Sequence, residues 1–141
     1  LKRNIGRIDK ADFPLLGLED VDVKIDTGAF TSTIHCKNVK VEDDYLKCNF
    51  LDEEHPDYHE KEIIFDNYDV KVVKSSNGRS QARYRILTEI LLFGKTYAIF
   101  LTLSDRDDMK FPVLLGRKFL TKRFIVDINK TNLSYKLKTS K

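Results

Sequence analysis

Residues 21–26 read Val-Asp-Val-Lys-Ile-Asp, with an apolar side chain at every second position. That period is the mark of a β-strand with one buried face, because successive side chains of a strand point to opposite sides. The pattern recurs along the chain. Over 31–41, Thr33, His35, Lys37 and Val39 share one side, and Ser32, Ile34, Cys36 and Asn38 the other. Further strands are expected at 44–50, 63–65, 69–74, 82–93, 95–103, 111–115, 124–128 and 133–137. Turn signals separate them: a polar stretch over 52–60 with Pro56, Ser75-Ser76-Asn77-Gly78, Gly94, a charged loop over 104–110, Gly116 and residues 129–132. Asn-Gly between two β-rich runs favours a tight hairpin, since both residues tolerate positive φ. Only 117–122 reads as a helix, and a short one. Many short strands with one short C-terminal helix predict an all-β fold, a small closed barrel. At 141 residues, 41% of them hydrophobic, the chain is expected to form a single domain over 1–141, too small for a two-lobed enzyme.

The net charge of +3 is unevenly spread. Residues 40–69 hold eleven acidic side chains and three basic ones, while 117–141 hold eight basic and one acidic, Asp127. Two solvated surfaces of opposite sign account for this, and the basic end suits an acidic partner. The basic residues are not interleaved with a nucleic-acid-binding motif, so no nucleic acid is expected. No apolar run reaches the roughly 18 residues of a membrane span. No signal peptide is visible, and Leu1 in place of Met points to a trimmed N-terminus; a cytoplasmic location with reduced thiols is the default expectation. Cys36 and Cys48 are too few for a disulfide framework. They either pair across adjacent strands or remain small buried hydrophobes.

Asp26-Thr27-Gly28-Ala29 follows directly on the alternating strand, placing a carboxylate where a strand ends. Gly28 lets the loop turn, and Thr27 supplies a hydroxyl to hold it. Alone, four residues of this kind fit an ordinary strand-end turn. Val113-Leu114-Leu115-Gly116-Arg117, running into the predicted helix, changes that reading. Together with the Asn-Gly hairpin between them, the two elements resemble the retropepsin-like aspartic peptidase fold. The resemblance implies an apolar-apolar-Gly strand packed beside the catalytic loop and a flap at Ser76, Asn77 and Gly78. More narrowly, the chain is similar to a bacterial and archaeal family labelled ATP-dependent zinc proteases and linked to ATP-grasp ligases that modify ribosomal protein with glutamate. The matching stretches are Asp26-Thr27-Gly28-Ala29 with Thr31-Ser32 and His35, Ser76-Asn77-Gly78 with Arg83, Asp105-Arg106 with Met109, and Leu114-Leu115-Gly116-Arg117. One departure is Phe30, where the family usually has a basic residue. It affects a substrate contact and leaves the carboxylate in place.

The resemblance implies peptide hydrolysis by two carboxylates sharing one proton around a water. The chain holds one Asp-Thr-Gly, so the second carboxylate is expected from a second copy in a two-fold homodimer. Asp26 is then the catalytic residue, Thr27 braces the paired loops, and Gly28 and Ala29 let substrate backbone approach. His35, Asn77, Arg83, Arg106 and Arg117 are candidates for substrate or supporting contacts. A half-buried strand histidine serves as well for His35, and structural ion pairs for the arginines. Arginines at a cleft suit an acidic, glutamate-rich peptide substrate. No cofactor is expected. There is no Gly-x-x-x-x-Gly-Lys-Ser/Thr phosphate loop, and His59-Glu60 lacks the second histidine of a His-Glu-x-x-His helix. Cys36, Cys48, His55 and His59 are adequate zinc ligands by type, but their spacing is not that of a common finger, so no metal is assigned. Against the peptidase stand two other readings: a non-catalytic domain binding an acidic peptide or a ligase partner, and a zinc hydrolase.

Overall fold

The structure is a computed structural model, and it describes residues 2–51, 58, 60–74, 77–105 and 109–140. Its strands are β1 (Arg3–Ile5), β2 (Ile8–Phe13), β3 (Leu18–Ile25), β4 (Ser32–Glu42), β5 (Tyr45–Phe50), β6 (Ile63–Phe65), β7 (Asp69–Lys74), β8 (Ser80–Leu92), β9 (Lys95–Ser104), β10 (Val113–Leu115) and β11 (Phe124–Val126). Two helices, α1 (Arg117–Leu120) and α2 (Leu133–Thr139), and a 3-10 turn at Pro14–Leu16 complete the described elements. The all-β expectation holds.

Nine strands form one sheet in the order β10-β3-β2-β8-β9-β4-β5-β6, with β7 on β8. β10 also pairs with β4, which closes β10, β3, β2, β8, β9 and β4 into a ring and leaves β5 and β6 extending from it. The alternating burial along β3 follows its sequence: Val21, Val23 and Ile25 are buried and Asp22 and Lys24 exposed. The core fills the ring with Phe13, Ile34, Phe50, Ile86, Ile90 and Leu101.

Two segments depart from the sequence reading. Residues 133–137 are the first part of α2, not a strand. Leu133, Tyr135 and Leu137 fit an alternating pattern, but the Asp9 carboxylate accepts hydrogen bonds from the backbone N–H groups of Ser134 (2.9 Å) and Tyr135 (3.1 Å). Those are donors that a helix start leaves without a partner inside the helix. β1 and β2 have no expected counterpart. β2 buries Asp9, Ala11 and Phe13, so the acid at Asp9 breaks its apolar alternation.

Helix α1 is held from below. Phe119 and Leu120 are buried, and the Phe119 ring lies 5.8 Å from both Tyr97 and Phe124, centroid to centroid. This aromatic cluster pins the helix to β9 and β11, and its N-terminus faces the loop after β3.

Candidate active-site loop

β10 lies between β3 on one side, in parallel register, and β4 on the other, antiparallel. Residues 26–31 leave β3 and enter β4, so the loop must pass the end of β10. Leu115 and Gly116 stand at that crossing. The Asp26 N–H donates to Leu115 O at 2.8 Å, extending the β3–β10 ladder by one residue. The Gly116 N–H donates to the buried Ser32 Oγ at 3.0 Å. Gly116 has ordinary extended dihedrals, and what demands glycine there is closeness. A Cβ at this position would sit 2.5 Å from Thr31 O and 2.7 Å from Phe30 O.

Gly116 caps α1 without a side-chain hydrogen bond. The loop carbonyls do that work: Arg117 N–H donates to Ala29 O (2.8 Å) and Lys118 N–H to Phe30 O (3.0 Å). These are first-turn donors with no partner inside their own helix. The Arg117 guanidinium adds a bond to Thr27 O at 3.0 Å and lies 5.8 Å from the Phe30 ring. Within the loop, Asp26 Oδ1 accepts the Gly28 N–H at 3.1 Å, and Ala29 N–H bonds Asp26 O at 3.2 Å. An aspartate bonded to the N–H two residues on closes a local turn around its own side chain. Gly28 is not in the left-handed region; a Cβ there would meet Asp26 Oδ1 at 3.3 Å. Asp26 is half-buried and Thr27 and Gly28 are exposed, so the carboxylate is framed by protein and open to solvent.

The structure thus gathers Asp26, Thr27, Gly28, Ala29 and Arg117 into one loop-and-helix unit. His35 sits apart from it, buried on β4 at 4% exposure and paired in register with Ser104, its N–H bonded to Pro112 O. Asn77 and Gly78 form the turn between β7 and β8; Asn77 Oδ1 accepts Arg79 N–H, and Gly78 takes the expected positive φ of 82°. Arg83 is half-buried on β8, with its Nε on Gln81 of the same strand. Ser76 and Arg106 lie outside the described residues, as do His55 and His59. Ser32 and Gly116, which tie the loop to β10, were not among the site residues expected from the sequence. The signal was present in Thr31-Ser32 and Leu115-Gly116, but their contact joins positions 84 residues apart.

Cys36 and Cys48 are free and buried. Burial pushes the Cys48 thiol up to about 12, with Glu62 adding to the shift, and raises Cys36 further in the same direction. Thiols bind metal as thiolates, so this environment suits buried hydrophobes better than zinc ligands. No group of three or more metal-ligating side chains occurs among the described residues. No helix among them is long and apolar enough to cross a membrane.

Comparison with known proteins agrees with this geometry. The model of the RimB-like family, described as "Retropepsin-like aspartic endopeptidase RimB", matches residues 5–136. Curated relatives include probable alpha-L-glutamate ligases from Shewanella pealeana (35% identical over 127 residues, 87% of this chain) and Desulfotalea psychrophila (35% over 132 residues, 89% of this chain). The chain spans only 28% of the length of each. A Legionella pneumophila protein of unknown function, Lpg0085, shares the fold with a TM-score of 0.73 and 24% identity, over 95% of this chain and 99% of that one. With Asp26-Thr27-Gly28 framed by β10 and α1, and a family match running almost end to end, the chain belongs to the RimB-like family of retropepsin-like aspartic endopeptidases.

Proposed function

We propose that the chain is an aspartic-type endopeptidase subunit that supplies one catalytic carboxylate, Asp26, and works as a two-fold homodimer. The observation that carries this reading is the half-buried, solvent-open Asp26 on a loop whose carbonyls and N–H groups are held by β10 and α1. A fixed loop is what a shared-proton pair requires, because two carboxylates within hydrogen-bond reach cannot both ionise cheaply. The ionised member takes a proton from the trapped water as its oxygen attacks the scissile carbonyl carbon. The protonated member donates to the carbonyl oxygen, and the amine then leaves with a proton. The pair titrates as a unit. Exposed Arg117 beside the loop favours an acidic peptide, and relatives named as glutamate ligases point to a glutamate-bearing protein substrate and a functional link to such a ligase.

A second reading follows from the lengths. The match covers 28% of relatives named as ligases, so in those proteins a domain of this kind accompanies a much longer chain. Under this reading the domain binds peptide for a ligase partner and does not cut it.

The test is Asp26→Asn. Cleavage of acidic and neutral peptides, followed by mass spectrometry, should fall by about 10²–10⁴-fold, the worth of a positioned acid–base group, with an unchanged circular dichroism spectrum. Specific activity should rise with protein concentration in step with a dimer seen by sedimentation. Cleavage that survives Asp26→Asn sinks the peptidase reading. Peptide binding by a wild-type protein that cuts nothing supports the binding module.

A further inference from the structure

A cavity of about 230 Å³ opens on the sheet face beside α1, lined by none of residues 26–29. Its apolar walls are Leu87, Ala98, Ile99, Phe100 and Phe119. Leu87 and Phe100 are direct cross-strand partners on β8 and β9, yet remain 56% and 42% exposed. A paired leucine and phenylalanine left open to water at the mouth of a cavity is costly unless something covers them.

Three cations surround the opening: Arg85, Lys118 and Arg123. Arg85 is engaged, bidentate to Asp69 at 2.9 and 2.6 Å, with its guanidinium 4.4 Å from the Phe100 ring. Lys118 and Arg123 pair with no carboxylate among the described residues. Lys118 Nζ lies 5.1 Å from the Phe100 ring, and Arg123 lies 5.1 Å from the Phe119 ring and donates to Phe119 O. The rings hold both cations at the cavity edge; Lys118 helps Arg85 keep the Asp69 carboxyl below its ordinary range, but neither cation has a carboxylate of its own within ion-pair distance among the described residues. Arg117 and Lys122 of the same segment extend the positive potential.

We infer that this face is a docking site for an acidic segment of a partner protein, which inserts one apolar side chain into the cavity and sets carboxylates against Lys118 and Arg123. Size and charge together select this occupant. Small-molecule sites usually enclose about 300–1,000 Å³, and this cavity is smaller, the scale of a single anchoring side chain. The exposed Leu87–Phe100 pair gives an apolar rim broader than a small ligand would cover, and the unpaired cations select acidic flanks. Thr31 and Ser32 also line the cavity. A bound segment therefore touches the residue whose Oγ fixes Gly116, at the C-terminal end of the Asp26 loop. The inference stands on this face alone and does not require Asp26 to be catalytic.

A fluorescent acidic five-residue peptide with a central phenylalanine, Asp-Glu-Phe-Glu-Asp, is the probe, read by anisotropy on the Asp26→Asn protein so that cleavage cannot intervene. Binding should weaken at least tenfold when the phenylalanine becomes alanine. It should weaken similarly with Leu87→Glu or Lys118→Glu, both exposed positions whose folding is checked by thermal melting, and it should decline with added salt. Binding untouched by Leu87→Glu would put the peptide elsewhere, such as the Asp26 loop, and overturn the inference. So would equal binding of the alanine peptide, no binding, or a concentration-dependent self-association abolished by Leu87→Glu, which would make the occupant a second copy.

Discussion

Gly116 shows how much of the site rests on the absence of one atom. Its dihedrals suit any residue, but a methyl group there would overlap the carbonyl oxygens of Phe30 and Thr31. Backbone cannot swing aside as a side chain can, so Gly116→Ala must displace the loop or the start of α1. We expect a loss of about 1–3 kcal/mol, the usual cost of overpacking, measured by urea denaturation. Gly28→Ala should cost far less stability, because its nearest neighbour is the Asp26 carboxylate at 3.3 Å, the end of a side chain that can rotate. The position of Asp26 was legible in the sequence, since a carboxylate between an alternating strand and a glycine already has a place in space. The grip of Ser32 on Gly116 was not: a serine at a strand start carries no mark of the distant N–H it will accept. His35 was legible only as a strand residue, and the structure places it buried on β4.

At the scale of elements, α2 depends on a residue from the opposite part of the chain. Asp9 is 1% exposed, and its carboxylate accepts from Ser134 and Tyr135, while Ser134 Oγ in turn accepts the Phe93 N–H at 2.8 Å. Phe93 and Gly94 form the two-residue turn between β8 and β9, both at positive φ, so one buried acid links a strand, a helix and a hairpin. Asp9→Ala would take this acceptor from three buried or half-buried N–H groups, those of Lys10, Ser134 and Tyr135. A loss of about 1–3 kcal/mol is expected, with faster amide hydrogen exchange concentrated in α2. The exposed bonds of Lys138 to Asp12 and Asp20 (3.1 and 2.7 Å) fasten the far end of the helix, but pairs so solvated contribute little. This explains why a strand was expected at 133–137. Five residues with apolar side chains at alternate positions fit either element, and the deciding partner is a carboxylate 125 residues away. Asp9 conceals β2 in the same way, because a buried acid breaks the apolar pattern of the strand that carries it. Where the period was unbroken, as in β3, β8 and β9, local sequence sufficed.

For the molecule as a whole, the two buried thiols give the fold a preference for the neutral side of pH 9. An unfolded thiol ionises near its ordinary value of 9.0, whereas Cys48 in the fold holds its proton to about 12, and Cys36 is shifted the same way by burial. A raised folded value means the stabilisation is complete below pH 9 and is lost as the pH climbs from there toward 12. The urea midpoint should fall across that window, and fall less steeply in a Cys36→Ala, Cys48→Ala double variant. Ring topology was legible as a class, from many short alternating runs, but the order of strands was not, because it depends on which edges meet. The meeting of β10 with β3 and β4 has a consequence in time. Arg117 holds the carbonyl of Thr27 across 90 residues of sequence. At about 5–20 residues per second, a ribosome that has just made Asp26 needs on the order of ten seconds to reach the residues that frame it. Throughout that interval the nascent chain carries its carboxylate without the scaffold that orients it, so the Asp26 loop has no frame until synthesis has passed Gly116.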